Sequence, residues 1–275
     1  MTRAAVVGCG IMGSGITFVA RAAGFPVTAV EPTDELVAAA RQRVERHEAQ
    51  ARKRGAQLEE LAPLEVTTDV TAAVAGADVV VEAVPEDLDL KRGVFRTLGA
   101  AAGDDTVIAS NTSGLSIEEL GSASGRSNQV VGLHFFNPVP AMRLVEVVRA
   151  PDTTDATVAR GVEFARAVGK ETVEVRDMPG FVTTRLGTLL MCEAMRAYEQ
   201  GVASAEHVDT AMKLGYNHPM GPLELADRVG LDTVLFILDD LYEVYGEAFS
   251  APPLLREMVA EGKLGRKSGA GFYDY

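Results

Sequence analysis

Among 275 residues there are only two cysteines, Cys9 and Cys192. Two thiols build no disulfide framework. One falls in a glycine-rich turn and the other in a helical pattern, so both are expected to be reduced and structural, which fits a cytoplasmic protein. Basic residues are also in deficit: 26 Lys and Arg stand against 39 Asp and Glu, for a net charge of −13. That balance disfavours nucleic acid, which needs a basic surface, but leaves room for a local basic patch that binds an anionic small molecule. No apolar run has the length of a membrane span, and no secretory leader pattern opens the chain. Low-complexity tracts and internal repeats are absent. The length is near the upper limit for one domain, so two are expected.

What is present begins with Ala4-Ala5-Val6-Val7, an apolar strand that runs into Gly8-Cys9-Gly10-Ile11-Met12-Gly13 and then a helical pattern. Gly-x-Gly-x-x-Gly in that context is a dinucleotide fingerprint. Gly8 permits the tight turn, Gly10 leaves room for a pyrophosphate, and Gly13 lets helix and strand pack closely. The N–H groups near Ile11 and Met12 then face the phosphates. The next strand ends in Glu31, where a carboxylate about 20 residues after the fingerprint holds ribose hydroxyls. Glu31 also favours NAD, because it repels a 2′-phosphate and no arginine follows at once. Read alone, the same glycines describe a surface turn.

Strands are expected at 2–8, 26–31, 77–84, 106–110, 130–134, 144–148 and 172–175, with a short edge strand at Val66-Thr67. Helices are expected at 11–23, 35–54 (capped by Asp34), 88–98 and 154–168, and Gln57 to Leu64 reads as a connection with a possible helical turn. Alternation of this kind predicts an α/β fold of Rossmann type, with a largely parallel sheet that binds ligands outside the carboxyl ends of its strands. After Pro179-Gly180 the pattern becomes all-helical: 181–200, 204–214, 221–245 with a possible break at Gly230, and 252–261. The expected division is a dinucleotide-binding domain over 1–179 and a helical substrate and dimerisation domain over 180–275. Leu186, Leu189 and Leu190 are assigned to the apolar face of the first of these helices. Leucine- and methionine-rich faces suggest dimer burial, with an oversized internal core as the alternative.

Six basic residues, Arg41, Arg43, Arg46, Arg52, Lys53 and Arg54, occupy 14 positions of the long second helix. They form either a solvated helix face or a patch for a phosphorylated carrier. Four histidines are candidates for proton transfer, and His134 is the best placed, at a ligand-side strand end with an ordinary pKa suited to general acid–base work. Glu146, set among Val145, Val147 and Val148, ends or nearly ends the following strand. A buried charge is expected to be paired, and its partner here is the imidazole. Ser113 is placed to hydrogen-bond a substrate oxygen, or else to cap the next helix. No metal-ligand cluster is expected.

Several stretches carry a resemblance. Val80-Val81-Glu82-Ala83-Val84-Pro85-Glu86, Ser110-Asn111-Thr112-Ser113, Gly132-Leu133-His134-Phe135-Phe136-Asn137-Pro138, Pro179-Gly180-Phe181-Val182 and His218-Pro219-Met220-Gly221-Pro222 join the glycine fingerprint. With them the chain resembles the 3-hydroxyacyl-CoA dehydrogenase family, especially its single-function 3-hydroxybutyryl-CoA dehydrogenases, over essentially its whole length. The resemblance implies NAD-dependent oxidation of a (3S)-3-hydroxyacyl-CoA and a homodimer formed through the helical domain, with no membrane partner. It makes His134 the catalytic base, Glu146 its orienting acid and Ser113 the contact to the substrate hydroxyl. Glu86, Lys91 and Ser110 join the cofactor set, Asn137 and Thr184 are substrate contacts, and Arg46 and Lys53 meet the CoA phosphates. Thr184 departs from the family's usual asparagine and keeps only a hydroxyl. Two other readings remain open at this point. One is a dehydrogenase of a non-thioester hydroxy acid or sugar acid; the other is a catalytically weak nucleotide-binding scaffold.

Overall fold

A computed structural model describes residues 3–56, 58 and 60–275. Thr2, placed in the expected first strand, and Gln57 and Glu59, in the expected connection to Leu64, lie outside the described residues. The chain divides into two compact units, one ending at Met178 and the other running Pro179–Tyr275.

The first unit is built on strands β1 (Ala4–Val7), β2 (Val27–Val30), β3 (Leu64–Thr67), β4 (Val79–Glu82), β5 (Val107–Ser110), β6 (Val130–Phe135), β7 (Leu144–Arg149) and β8 (Glu171–Arg176). They form one eight-stranded sheet in the order β3-β2-β1-β4-β5-β6-β7-β8. All pairings are parallel except β6 with β7. β1, β2, β4, β5 and β6 are buried at every position, as expected for short Val- and Ala-rich strands covered on both faces. The chain moves outward from β1 through β2 to β3, then returns to start β4 on β1's other side. That reversal opens a crevice at the carboxyl ends of β1 and β4.

Helices α1 (Ile11–Ala22), α2 (Asp34–Lys53), α3 (Val70–Ala75), α4 (Leu88–Ala101), α5 (Ile117–Ser124) and α6 (Asp155–Ala167) make the crossovers. The cap of α2 is Thr33, whose hydroxyl accepts from Leu36 N; Asp34, expected to cap, is the first helical residue. Short polar caps recur at Asp69, Asp87, Ser116 and Thr154, each satisfying a first-turn N–H. Ser116 is thus the cap of α5, and Ser113 is left out of that role. The six-residue α3 has no counterpart among the expected helices, because so short an apolar segment carries no resolvable period. In the 20 residues of α2 only Ala40 and Val44 are buried. The helix lies on α1 through a stack of His47 on Phe18, a His47–Ser14 hydrogen bond and the Arg21–Glu48 ion pair.

The second unit comprises α7 (Thr183–Glu199), α8 (Ala205–Gly215), α9 (Pro222–Val229), α10 (Leu231–Tyr245) and α11 (Pro253–Ala260). Gly230, at φ 105°, separates α9 from α10, where a break was expected. The core packs Met191, Cys192, Met195, Leu223, Leu231, Val234, Leu238, Leu241 and Leu255. On α7 the buried face is Thr188, Met191, Cys192, Ala194 and Met195, whereas Leu186 is 61% exposed, against its expected place on the apolar face. Two buried aspartates brace this unit. Asp209 accepts from Leu223 N and Glu224 N at the start of α9, and Asp227 accepts from Phe272 N and Tyr273 N of the terminal segment. Burial holds the Asp227 carboxyl above its ordinary range, and those same N–H donors oppose the shift.

Candidate active site

The glycine turn is dictated by close approach. A Cβ on Gly13 would stand 1.8 Å from the Gly8 carbonyl oxygen, and one on Gly8, at φ 85°, would stand 2.8 Å from the Ala83 oxygen. Neither position accepts a side chain. Gly10 is different: a Cβ there meets nothing within 4 Å, and the residue lines a cleft of about 750 Å³. Gly8, Gly10, Ile11, Met12, Glu31, Arg43, Val84 and Leu90 are among its walls. Gly10 caps α1 without a side chain, so the first N–H groups of the helix have no side-chain acceptor from it and no acidic residue in the first turn. This arrangement suits an anion. Glu31 is buried beside the turn, and its Oε1 accepts from Cys9 N at 2.7 Å. Burial pushes the Cys9 thiol up to about 11, so it stays a protonated, apolar filler.

A second cleft, of about 370 Å³, adjoins the first along Met12, Ala83 and Val84. Glu86, Lys91, Asn111, Ser113, His134, Phe136 and Asn137 also line it. The antiparallel register of β6 and β7 sets His134 directly opposite Glu146, so both side chains leave the same face. His134 Nδ1 and Glu146 Oε2 are 2.7 Å apart, and the carboxylate is fully buried. Glu146 is therefore mid-strand, a correction to its expected place at or near a strand end. An ionised carboxylate only accepts, so Nδ1 carries the ring hydrogen in the neutral imidazole and Nε2 keeps the basic lone pair. Phe136 packs against the ring at 4.4 Å between centroids.

A charged network stands behind this wall. Glu82 and Ser110 are register partners on β4 and β5, and Ser110 Oγ donates to Glu82 Oε2 at 2.7 Å. Lys91 Nζ donates to Glu82 Oε1 at 2.7 Å and to the Val84 carbonyl, and lies 3.3 Å from Glu86 Oε2. Glu86 Oε1 accepts in turn from Thr112 Oγ1 and from Ser113 N, the latter at 3.0 Å. Asn111 Oδ1 accepts from Phe135 N at 2.9 Å and pins the loop after β5 to the end of β6. One expectation changes here. Ser110 is fully buried with its hydroxyl committed to Glu82, so it braces the site from behind and does not face a cofactor. Lys91 is 1% exposed, has three acceptors for its three N–H donors, holds Glu86 in place and still lines the cleft.

Arg46 and Lys53 project from the solvent face of α2, seven residues apart and hence on one side of it. Thr184 is the second residue of α7, in the other unit. Sequence reasoning passed over Asn111 as a brace and Arg43 as a cleft residue. Asn111 had a visible signal, an amide just past a strand end; Arg43 was hidden among five other basic residues. No group of His, Cys, Asp and Glu side chains among the described residues suits a metal ion.

The description of the NAD-binding domain of 3-hydroxyacyl-CoA dehydrogenases matches residues 3–178, and that of the C-terminal domain matches residues 180–275. The mitochondrial hydroxyacyl-coenzyme A dehydrogenase of Sus scrofa is 43% identical, over 98% of this chain and 90% of that protein. A probable 3-hydroxybutyryl-CoA dehydrogenase of Deinococcus radiodurans is 42% identical, over 98% of this chain and 99% of its own. The crystal structure of (S)-3-hydroxybutyryl-CoA dehydrogenase PaaH1 from Ralstonia eutropha superposes with a TM-score of 0.95 at 37% identity, covering 100% of this chain and 99% of that one.

Proposed function

The chain belongs to the 3-hydroxyacyl-CoA dehydrogenase family, and from that premise we propose that it oxidises a short-chain (3S)-3-hydroxyacyl-CoA, such as 3-hydroxybutyryl-CoA, reversibly to the 3-oxoacyl-CoA with NAD. The observation that carries this reading is the buried His134–Glu146 pair on a cleft that adjoins the dinucleotide cleft. The glycine turn fits NAD: Gly10 leaves the volume a pyrophosphate needs, and Ile11 and Met12 offer N–H groups. When bound, NAD accepts the hydride from C3 of the substrate. His134 takes the hydroxyl proton on Nε2, and in the reverse direction returns it to the 3-oxo oxygen. Glu146 accepts from Nδ1 throughout, fixes the tautomer and stabilises the imidazolium. The Ser113 hydroxyl, 3.4 Å from Glu86 Oε1, holds the reacting oxygen, and Lys91 fixes that glutamate. Glu31 receives the ribose hydroxyls.

Asn137 lines the second cleft and contacts substrate, and Thr184 offers a hydroxyl from the helical unit. Arg46 and Lys53 meet the CoA phosphates. Residues 1–179 serve as the dinucleotide-binding domain and 180–275 as the substrate and dimerisation domain. Exposed Leu186, Leu214, Tyr216 and Phe236 support burial against a second copy. Among the described residues no helix is long and apolar enough to cross a membrane. Two buried free thiols suit a reducing compartment such as the cytoplasm. The test is steady-state turnover of an acyl-CoA series with NAD and NADP, beside a free 3-hydroxy acid and with NADH and NADPH titrations. Turnover of 3-hydroxybutyryl-CoA and tighter NADH binding are expected; turnover of the free acid alone would refute the proposal.

A further inference from the structure

Of the six basic residues on α2 and its C-cap Arg54, five are exposed and Arg43 is the exception. It leaves the helix on the side of Ala40, Val44 and His47, which faces α1. Its Nη1 donates to the Cys9 carbonyl at 3.3 Å, a long bond that engages one of five N–H donors. On the other side of the same residue, Cys9 N donates to Glu31. A cation and an anion thus grip Cys9 from opposite sides, and both line the cleft in front of Gly8, Gly10 and Ile11. Among the described residues Arg43 forms no ion pair, whereas Arg21 on α1 is paired with Glu48. A half-buried guanidinium with donors to spare, beside a helix N-terminus lacking acidic residues, is equipped for an anion entering the cleft.

We infer that Arg43 is a cofactor-binding residue that contacts a phosphate of the dinucleotide at its adenosine end. The inference rests on the dinucleotide site proposed above. Two phosphates share this chemistry: the pyrophosphate common to both cofactors, and the 2′-phosphate of NADP alone. The bland alternative is that Arg43 only braces the Cys9 carbonyl.

Fluorescence titration of NADH and NADPH separates these. Arg43→Gln keeps an N–H donor for Cys9 but removes the charge; Arg43→Lys keeps the charge. Loss of a hydrogen bond to a charged group corresponds to roughly ten-fold or more in Kd. Arg43→Gln is expected to weaken NADPH by that factor, and NADH equally where the contact is to the pyrophosphate, while its melting temperature stays near that of the parent, and Arg43→Lys to recover part of the loss. The deficit should shrink as salt rises, since a partly exposed contact is screened. Equal losses for both cofactors identify the pyrophosphate, and a loss confined to NADPH identifies the 2′-phosphate. Unchanged affinity for both cofactors in Arg43→Gln would overturn the inference and leave the brace. Failure of the parent protein to bind either cofactor would instead remove the dinucleotide site itself.

Discussion

Replacing Glu146 by glutamine changes one charge in a fully buried place and almost nothing in shape. The 2.7 Å contact to His134 then joins two neutral groups in the ground state. A hydrogen bond to an ionised partner contributes about 1.5–3 kcal/mol and a neutral one about 0.5–1.5 kcal/mol. The difference, of order 1–2 kcal/mol, falls on the imidazolium that forms in turnover and sets a floor of roughly ten-fold on the loss in kcat. A second effect deepens it. The new amide can donate to Nδ1, which moves the ring hydrogen to Nε2, the atom that must accept the hydroxyl proton. In that orientation His134 no longer serves as the base, and the loss approaches the roughly 10²–10⁴ that general acid–base catalysis supplies. Glu146→Gln should therefore reduce kcat by between about 10- and 10⁴-fold, with NADH affinity unchanged because neither residue lines the dinucleotide cleft. The assay is steady-state turnover in both directions, with NADH titration and a melting curve on the same preparation. His134→Gln, expected to lose at least about 10²-fold, sets the reference. Adding Glu146→Gln to it should cost little more, because Glu146 acts through the imidazole. A near-normal kcat in Glu146→Gln, or losses that multiply in the double variant, would refute this account.

Three further expectations concern the glycine turn and the α1–α2 seam. Gly13→Ala drives a methyl into the Gly8 carbonyl, a backbone atom that cannot step aside, so it should lower the melting temperature and abolish NADH binding together. Gly10→Ala meets no protein atom and should leave the melting temperature far less affected while NADH binding is lost; intact binding would show that the pyrophosphate does not approach there. Burial, with a smaller contribution from Arg46, holds the His47 imidazole below its ordinary value of 6.5. A depressed folded-state pKa means the unfolded chain binds the extra proton first, so this contribution to stability is complete above about 6.5 and is lost as pH falls toward the folded value. His47→Gln should show a shallower fall in denaturation midpoint than the parent below pH 6.5, and parallel curves would refute the assignment.

The strands and the dinucleotide turn were readable because their cause is local. Val- and Ala-rich runs of strand length have few other solutions, and the turn's glycines are demanded by contacts with Gly8 and Ala83. Other features are decided by atoms far away in sequence. The exposure of Leu186 is one: α7 has more apolar positions than its own unit covers, and only the packing of α9 and α10 selects which side is buried. The antiparallel turn of β7 is another. It carries no mark in the sequence of β7 itself, yet it brings Glu146 from mid-strand to face His134.

Site residues divide along the same line. Glu146 was legible because a carboxylate among valines demands a partner, and a histidine 12 residues earlier on a neighbouring strand is the nearest one chemistry accepts. Ser110 and Lys91 sit at equally suggestive positions, one at a strand end and one in the first turn of α4, but a third group redirects both. Glu82, fully buried at the end of β4, needs donors for both carboxylate oxygens, and it takes the Ser110 hydroxyl and the Lys91 ammonium. Once Glu82 is satisfied, the Ser110 hydroxyl is committed behind the wall, whereas Lys91 still lines the cleft and also pairs with Glu86. A carboxylate two strands from the histidine thus settles which polar groups reach the substrate side, and Ser113 inherits its place from that choice through the Glu86 contact. Arg43 follows the opposite course. Its five basic neighbours on α2 and its C-cap are exposed, and only its position one turn before His47, on the face turned toward α1, brings a guanidinium into the cleft from a helix that otherwise reads as solvated.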